Sequence, residues 1–178
     1  MEFLEERLAR GIQASSRRQI LRFIGKQEKT VKEIATATQT SVSLASRHLS
    51  FLHDLGFLQA RKKSTQKFYS LKSSTLHTFL EKYDELVKKL AGEEQLARAL
   101  HAVSRRQILS LLAEKRATVK EIAEKMRQSV SLTSRHLTLL HDLELLRAEK
   151  ISTQKFYSLK HHSLKSLLEL YEEVIQHL

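Results

Sequence analysis

The sequence predicts a mainly α protein with two small β-hairpins, built as two tandem copies of one unit. Three observations carry this prediction. Long strings recur at a constant offset of 88 residues. Within each copy, capping signals open apolar runs that follow three- and four-residue steps. Beyond those runs the period drops to two, where two short strands flank a turn.

The repeats are SRRQIL at Ser16 and Ser104, TVKEIA at Thr30 and Thr118, SVSL at Ser41 and Ser129, SRHL at Ser46 and Ser134, and LHDL at Leu52 and Leu140. STQKFYSLK recurs at Ser64 and Ser152, so residues 3–90 map onto 91–178 without insertion or deletion. Two copies are too few for a solenoid, and each is long enough to fold alone. The expected domains are 1–90 and 91–178. They meet at Lys88-Lys89-Leu90-Ala91-Gly92-Glu93-Glu94, where lysines suit the end of one helix and glutamates the start of the next. So short a join predicts a fixed arrangement, one compact particle with pseudo-twofold symmetry.

The elements of one copy follow in order. A leading helix carries Phe3, Leu4 and Leu8, with Leu96, Ala97 and Leu100 as its second-copy stripe. Ser16 and Gln19 form a capping box before Ile20, Leu21, Phe23 and Ile24, as Ser104 and Gln107 do later. Thr30 with Glu33, and Thr118 with Glu121, cap a short helix bearing Ile34 or Ile122. After a break at Thr38-Gln39-Thr40, Ser41 caps a helix with Ala45, Leu49, Leu52 and Leu55 on one side. Past Gly56, strands at Phe57 to Lys62 and Lys67 to Lys72 join across Ser64-Thr65-Gln66. A last helix carries Leu76, Phe79, Leu80, Tyr83, Leu86, Val87 and Leu90, matched by Leu164, Leu167, Leu168, Tyr171, Val174, Ile175 and Leu178.

Three helices with a tight turn before the last, followed by a hairpin, make a winged helix-turn-helix. The expected fold is thus two tandem winged helix-turn-helix domains forming a single-chain pseudo-dimer. Ala14-Ser15-Ser16-Arg17-Arg18-Gln19-Ile20-Leu21, Val31-Lys32-Glu33-Ile34-Ala35, Ser46-Arg47-His48-Leu49 and Lys67-Phe68-Tyr69-Ser70-Leu71 resemble the arsenic-repressor (ArsR) type. The second copy does so through Ala99-Leu100-His101-Ala102-Val103-Ser104-Arg105-Arg106-Gln107-Ile108-Leu109 and Ser134-Arg135-His136-Leu137. The resemblance spans nearly the whole of each copy. It implies a homodimer-like pairing through first and last helices, here inside one chain, with one recognition helix per copy in adjacent major grooves. Two departures stand out. The helix before the turn lacks the sensor cysteines of some members, and the turn reads Thr38-Gln39-Thr40 or Met126-Arg127-Gln128 where the family has a glycine between leucines. Val42 and Val130 are candidates to fill the space of such a leucine.

The candidate DNA-binding residues begin on the third helix of the motif. With Ala45, Leu49 and Leu52 inward, Val42, Ser43, Ser46, Arg47 and Ser50 fall outward, joined by the capping Ser41 and a half-buried His48. Their counterparts are Ser129, Val130, Ser131, Ser134, Arg135, His136 and Thr138. An arginine can grip guanine or phosphate, and short hydroxyls permit close approach; the alternative is an ordinary solvated face. His48 and His136 suit donation to a phosphate or a backbone carbonyl better than metal ligation. Lys32 and Lys120 precede the turn. On the hairpins, Arg61, Lys62, Lys63, Gln66 and Lys67, with Lys150, Gln154 and Lys155, suit phosphates or a minor groove. Recent duplication explains the identity of the hairpins almost as well.

Charge sets the partner and separates the halves. The net charge of +11 over 178 residues favours a polyanion. Residues 1–90 hold 17 basic and 9 acidic side chains, net +8, against 14 and 11, net +3, in 91–178. The first hairpin has Arg61-Lys62-Lys63 where the second has Glu149-Lys150-Ile151, so the first copy is expected to grip DNA more strongly and to lose it more readily to salt.

The remaining composition excludes other classes. No cysteine rules out disulfides, thiolate zinc fingers, thiolate sensing and a cysteine nucleophile. No proline and four glycines argue against collagen-like chains and glycine-looped nucleotide sites. Short apolar runs predict no membrane span, and the mixed charges of Met1 to Arg10 no signal peptide; a cytoplasmic, nucleoid-associated protein is expected. His161-His162 lies near Glu169, Glu172 and Glu173, on a helix where some family members bind zinc. The first copy has Ser73-Ser74 instead, so no metal site is expected. No catalytic set is visible, and neither an enzyme nor a cofactor is expected. The reading is a double-stranded DNA-binding transcriptional regulator, a repressor. Its alternatives are an abundant low-specificity architectural protein and a winged-helix interaction scaffold. Target sequence, effector and direction of regulation stay open.

Overall fold

A computed structural model describes residues 2–90 and 92–177, excluding the side chains of 2–5. The expected stripe residues Phe3, Leu4 and Leu178, and Ala91 of the join, therefore lie outside what is described. Chain packing forms two units, Met1–Glu81 with Leu170–Leu178, and Lys82–Glu169. Among the described residues no helix is long and apolar enough to cross a membrane.

The first copy runs α1 (Glu2–Gln13), α2 (Ser15–Ile24), β1 (Lys29–Thr30), α3 (Val31–Ala37), α4 (Val42–Asp54), β2 (Leu58–Lys63), β3 (Gln66–Leu71) and α5 (Ser74–Val87). The second repeats it as α6 (Glu93–His101), α7 (Val103–Glu114), β4 (Ala117–Thr118), α8 (Val119–Met126), α9 (Val130–Asp142), β5 (Leu146–Ile151), β6 (Gln154–Leu159) and α10 (Ser163–Gln176). This is the winged helix-turn-helix order, twice.

The helix starts at Thr30 and Thr118 are reciprocal capping boxes. The Thr30 hydroxyl accepts from the Glu33 N–H (3.3 Å) while the Glu33 carboxylate accepts from the Thr30 N–H (2.7 Å). Thr118 and Glu121 do the same. Ser16 and Ser104 do not cap. Helix α2 starts at Ser15 behind Ala14, and α7 starts at Val103 behind Ala102, neither with a side-chain cap. Because those helices begin earlier than the Ser-x-x-Gln string implies, each serine lies inside the first turn. Its hydroxyl is taken elsewhere: Ser16 Oγ lies 3.3 Å from His48 Nε2, and Ser104 Oγ accepts from Gln128 Nε2 at 3.1 Å.

The second arginine of each Ser-Arg-Arg-Gln string is structural. Arg18 is fully buried and donates through Nη1 to the Ile12 and Gln13 carbonyls at 2.6 Å each. Arg106, 2% exposed, donates to Leu100 (2.6 Å) and His101 (3.1 Å). These are among the carbonyls that the end of a helix leaves without an intrahelical partner, and a cation there also complements the helix dipole.

The hairpin turn is tighter than the sequence implied. Gln66 belongs to β3, opposite Lys63, and only Ser64-Thr65 turns, with Ser64 at φ 55°. A two-residue strand completes each sheet: β1 pairs antiparallel with β3 (Lys29 to Tyr69, Thr30 to Phe68), giving the order β1-β3-β2, and the second copy gives β4-β6-β5. Two residues carry no alternation, so sequence offered no sign of this strand.

In the unit Met1–Glu81 with Leu170–Leu178, Leu8, Ile20, Leu21, Ile34, Leu49 and Phe57 are buried to 1% exposure or less. Phe79 meets Tyr171 edge-on there, centroids 6.0 Å apart at 69°. In Lys82–Glu169 the equivalent core holds Leu96, Leu100, Ile108, Ile122, Leu137 and Leu145. Gly11 sits where α1 touches the Phe57 ring, and a Cβ there would lie 2.3 Å from the ring carbon Cζ.

Candidate nucleic-acid interface

The turn before α4 reaches the left-handed region without glycine: Gln39 has φ 53° and Arg127 φ 51°. For an L-residue this costs roughly 1–2 kcal/mol. In the first copy the turn is closed by hydroxyls, with Thr38 Oγ1 donating to the Ile34 carbonyl (2.7 Å) and lying 3.0 Å from Thr40 Oγ1. Val42 and Val130 do not fill a turn-leucine space. They stand 54% and 50% exposed, because each is the first residue of its helix and points off its open end.

Ser41 Oγ accepts from the Leu44 N–H, and Ser129 Oγ from the Leu132 N–H, at 3.2 Å each, fixing where α4 and α9 begin. Ala45, Leu49 and Leu52 are fully buried, and so are Thr133, Leu137 and Leu140. That leaves Ser41, Val42, Ser43, Arg47 and Ser50 exposed, and Ser46 and His48 half-buried. On α9, Ser129, Val130, Ser131, Arg135 and Thr138 are exposed, and Ser134 and His136 half-buried. Sequence reading missed Leu132, 38% exposed on this outer face. A leucine one step from the cap reads as core unless the exact helix phase is known.

The two histidines are held below their ordinary pKa. Burial is the main cause for His48, followed by the cations Arg17 and Arg47; for His136 the same sequence is burial, Arg105 and Arg135. The His48 Nε2 faces Ser16 Oγ rather than the backbone carbonyl that the sequence allows.

The wing residues Arg61, Lys62, Lys63, Gln66 and Lys67 are all exposed, as are Lys150, Gln154 and Lys155. Register places Lys62 directly opposite Lys67, and Lys150 opposite Lys155. Like charges in such a cross-strand pair repel, and an anion between them relieves that. Lys67 and Lys155 also lie over the Tyr69 and Tyr157 rings, at 5.0 and 5.3 Å. Arg61 differs from its neighbours: its Nε and Nη2 donate to Glu28 Oε2 at 3.0 and 2.6 Å. The same position in the second copy holds Glu149, facing Arg116 at 3.9 Å. The ion pair is thus present in both copies with its charges exchanged. Each pair is neutral, and Lys63 against Ile151 is offset by Gln59 against Arg147, so the two wings carry the same net charge and differ in where it sits.

Lys32 is not grouped with α4. It lines an open groove of about 620 Å³ between α2, α3 and β3, with Gln66, Phe23 and Phe68. Lys120 is exposed on α8. Of the acids expected to accompany His161-His162, Glu173 accepts from Thr75 Oγ1 (3.3 Å), and no group of three or more metal-ligating side chains forms among the described residues. Sequence reading also passed over Arg17 and Arg105. The repeated Ser-Arg-Arg-Gln string was their available signal, but it was spent on a helix start.

The chain is similar to several solved structures. HlyU from Vibrio cholerae N16961 shares 29% identity over 45% of this chain and 87% of that one, with a TM-score of 0.42. The homodimeric winged helix-turn-helix DNA-binding domain of Mb0332 from Mycobacterium bovis, a possible ArsR-family regulator, shares 23% over 59% and 88% (TM-score 0.44). NolR from Sinorhizobium fredii shares 24% over 53% and 90% (TM-score 0.43). No curated protein matches. The family model described as bacterial regulatory protein, arsR family, matches residues 14–60 and 103–148.

Proposed function

Because this chain belongs to the arsR family of bacterial regulatory proteins and is a DNA-binding transcription regulator, we propose that it represses from a near-palindromic site. Residues 1–90 and 91–178 each supply one recognition helix, α4 or α9, to successive major grooves about 34 Å apart. The two copies pair within one polypeptide and take the place of two subunits. Wings and helix amino ends hold the flanking phosphates.

The observation that supports this reading most is the combination found in each copy. A capped helix turns serines and one arginine outward, and the wing that follows opposes two lysines. The first supplies base contacts and the second a phosphate grip.

One observation favours a second reading. The outer face of α4 offers Ser43, Ser46 and Ser50 but a single long base-reader, Arg47, which suits a nucleoid-associated protein of low specificity. Footprinting at physiological salt separates the two. A discrete protected stretch with two half-sites one helical turn apart supports the regulator, whereas even coverage with a steep salt dependence replaces it by the coating protein. Failure to retard any duplex at low salt would overturn both in favour of an interaction scaffold.

A further inference from the structure

Beside each recognition helix lies a cluster of cations for which no acidic partner is found among the described residues. In the first copy Arg17 Nε donates to the Gly11 carbonyl (3.2 Å) and Nη2 to the Arg10 carbonyl (2.7 Å), so its guanidinium is held in place by the end of α1. Arg17 and Arg10 both lie over the Phe51 ring of α4, at 5.0 and 5.5 Å. His48, on the same helix, feels Arg17 and Arg47 as cations. The second copy repeats the arrangement: Arg105 donates to Ala99 (3.2 Å) and Arg98 (2.6 Å), and His136 feels Arg105 and Arg135.

Two features argue that a ligand, rather than the fold, accounts for the charges. A guanidinium carries five N–H donors, and the carbonyl bonds of Arg17 use only Nε and Nη2. Burial first, and then the arginine beside each (Arg10 for Arg17, Arg98 for Arg105), lowers the pKa of both guanidinium groups, so each site holds two like charges close together. Moreover Leu139 replaces Phe51 in the second copy, which removes the aromatic platform while all the cations remain. Stacking is therefore not what the arginines are kept for.

We propose that Arg10 with Arg17, and Arg98 with Arg105, each form a phosphodiester-binding site that clamps the DNA strand next to the recognition helix. The proposal rests on the DNA-binding reading above and adds a contact outside both helix and wing. Arg17 and Arg105 are the fixed elements, oriented before binding, and exposed Arg10 and Arg98 close on the same backbone. The contact is with phosphate, so it strengthens every duplex alike.

The test is fluorescence anisotropy of the full chain on a random duplex across a salt series. Replacing Arg10→Gln and Arg98→Gln touches exposed side chains with no hydrogen bond among the described residues, and Arg10 gives up only its place over the Phe51 ring, so thermal stability should change little. Loss of one phosphate contact per copy should make the slope of log affinity against log salt shallower by about 1.8, at about 0.9 per contact. Arg17→Lys with Arg105→Lys, which keeps the charge, should retain most of that slope. An unchanged slope in the Arg10→Gln, Arg98→Gln chain, with the parent binding normally, overturns the clamp alone. A parent that binds no duplex at low salt overturns the clamp together with the reading beneath it.

Discussion

At the scale of single residues, comparing the copies separates packing from function, because the second copy is an alternative solution to the same geometry. Gly11 and Phe57 in the first become Ala99 and Leu145 in the second, and all four positions are buried. A methyl added on α1 is matched by a smaller side chain opposite. Gly11→Ala alone drives a Cβ into the Phe57 ring. Overpacking of this kind costs about 1–3 kcal/mol, and a 2.3 Å approach belongs at or above that upper end. The gain of about 1 kcal/mol that alanine brings to a helix interior does not offset it. Chemical denaturation should show Gly11→Ala less stable than the parent, and adding Phe57→Leu should restore most of the loss; a double variant no better than the single would refute the pairing. Sequence made the buried spine of α4 legible because its apolar spacing is regular. It did not distinguish Arg17 from Arg18, since adjacent identical residues on a helix differ only in phase, and phase depends on where the helix starts.

At the scale of elements, the caps at Thr30, Thr118, Ser41 and Ser129 were readable because each bonds only to residues three positions away. The hairpins were readable from their period. What sequence could not supply is contact at long range. It grouped Arg61 with Lys62 and Lys63 as one basic tip, but Glu28, 33 positions earlier, neutralises Arg61 and raises its pKa through a direct hydrogen bond. The grip of the first wing therefore belongs to Lys62, Lys63 and Lys67. Lys63→Ile, which installs the residue of the second copy, should lower the salt slope by about 0.9. Exchanging both members of the pair, Glu28→Arg with Arg61→Glu, should leave affinity and slope unchanged. Fluorescence anisotropy over a salt series measures both, and a double exchange that weakens binding would place Arg61 on the DNA after all.

At the scale of the whole molecule, one packing unit is a continuous stretch, Lys82–Glu169, and the other is assembled from Met1–Glu81 and Leu170–Leu178. The apolar stripe of α10 was legible, but a stripe states only that a face is buried, not against which part of the chain. Tyr171, fully buried against Phe79, shows the answer. Truncating a buried aromatic costs about 3–5 kcal/mol. Tyr171→Ala should accordingly speed amide hydrogen exchange in α1, α2 and the first half of α5, far away in sequence, before it does so in 82–169. Faster exchange confined to 82–169 would contradict the assignment. This assembly reverses the order of birth on the ribosome. The nascent chain exposes 1–81 first, yet its last complement emerges only after another 89 residues, roughly 4–18 s later at 5–20 residues per second. The later-made unit can mature first, and the earlier one must wait, open along one side, until translation has passed it by.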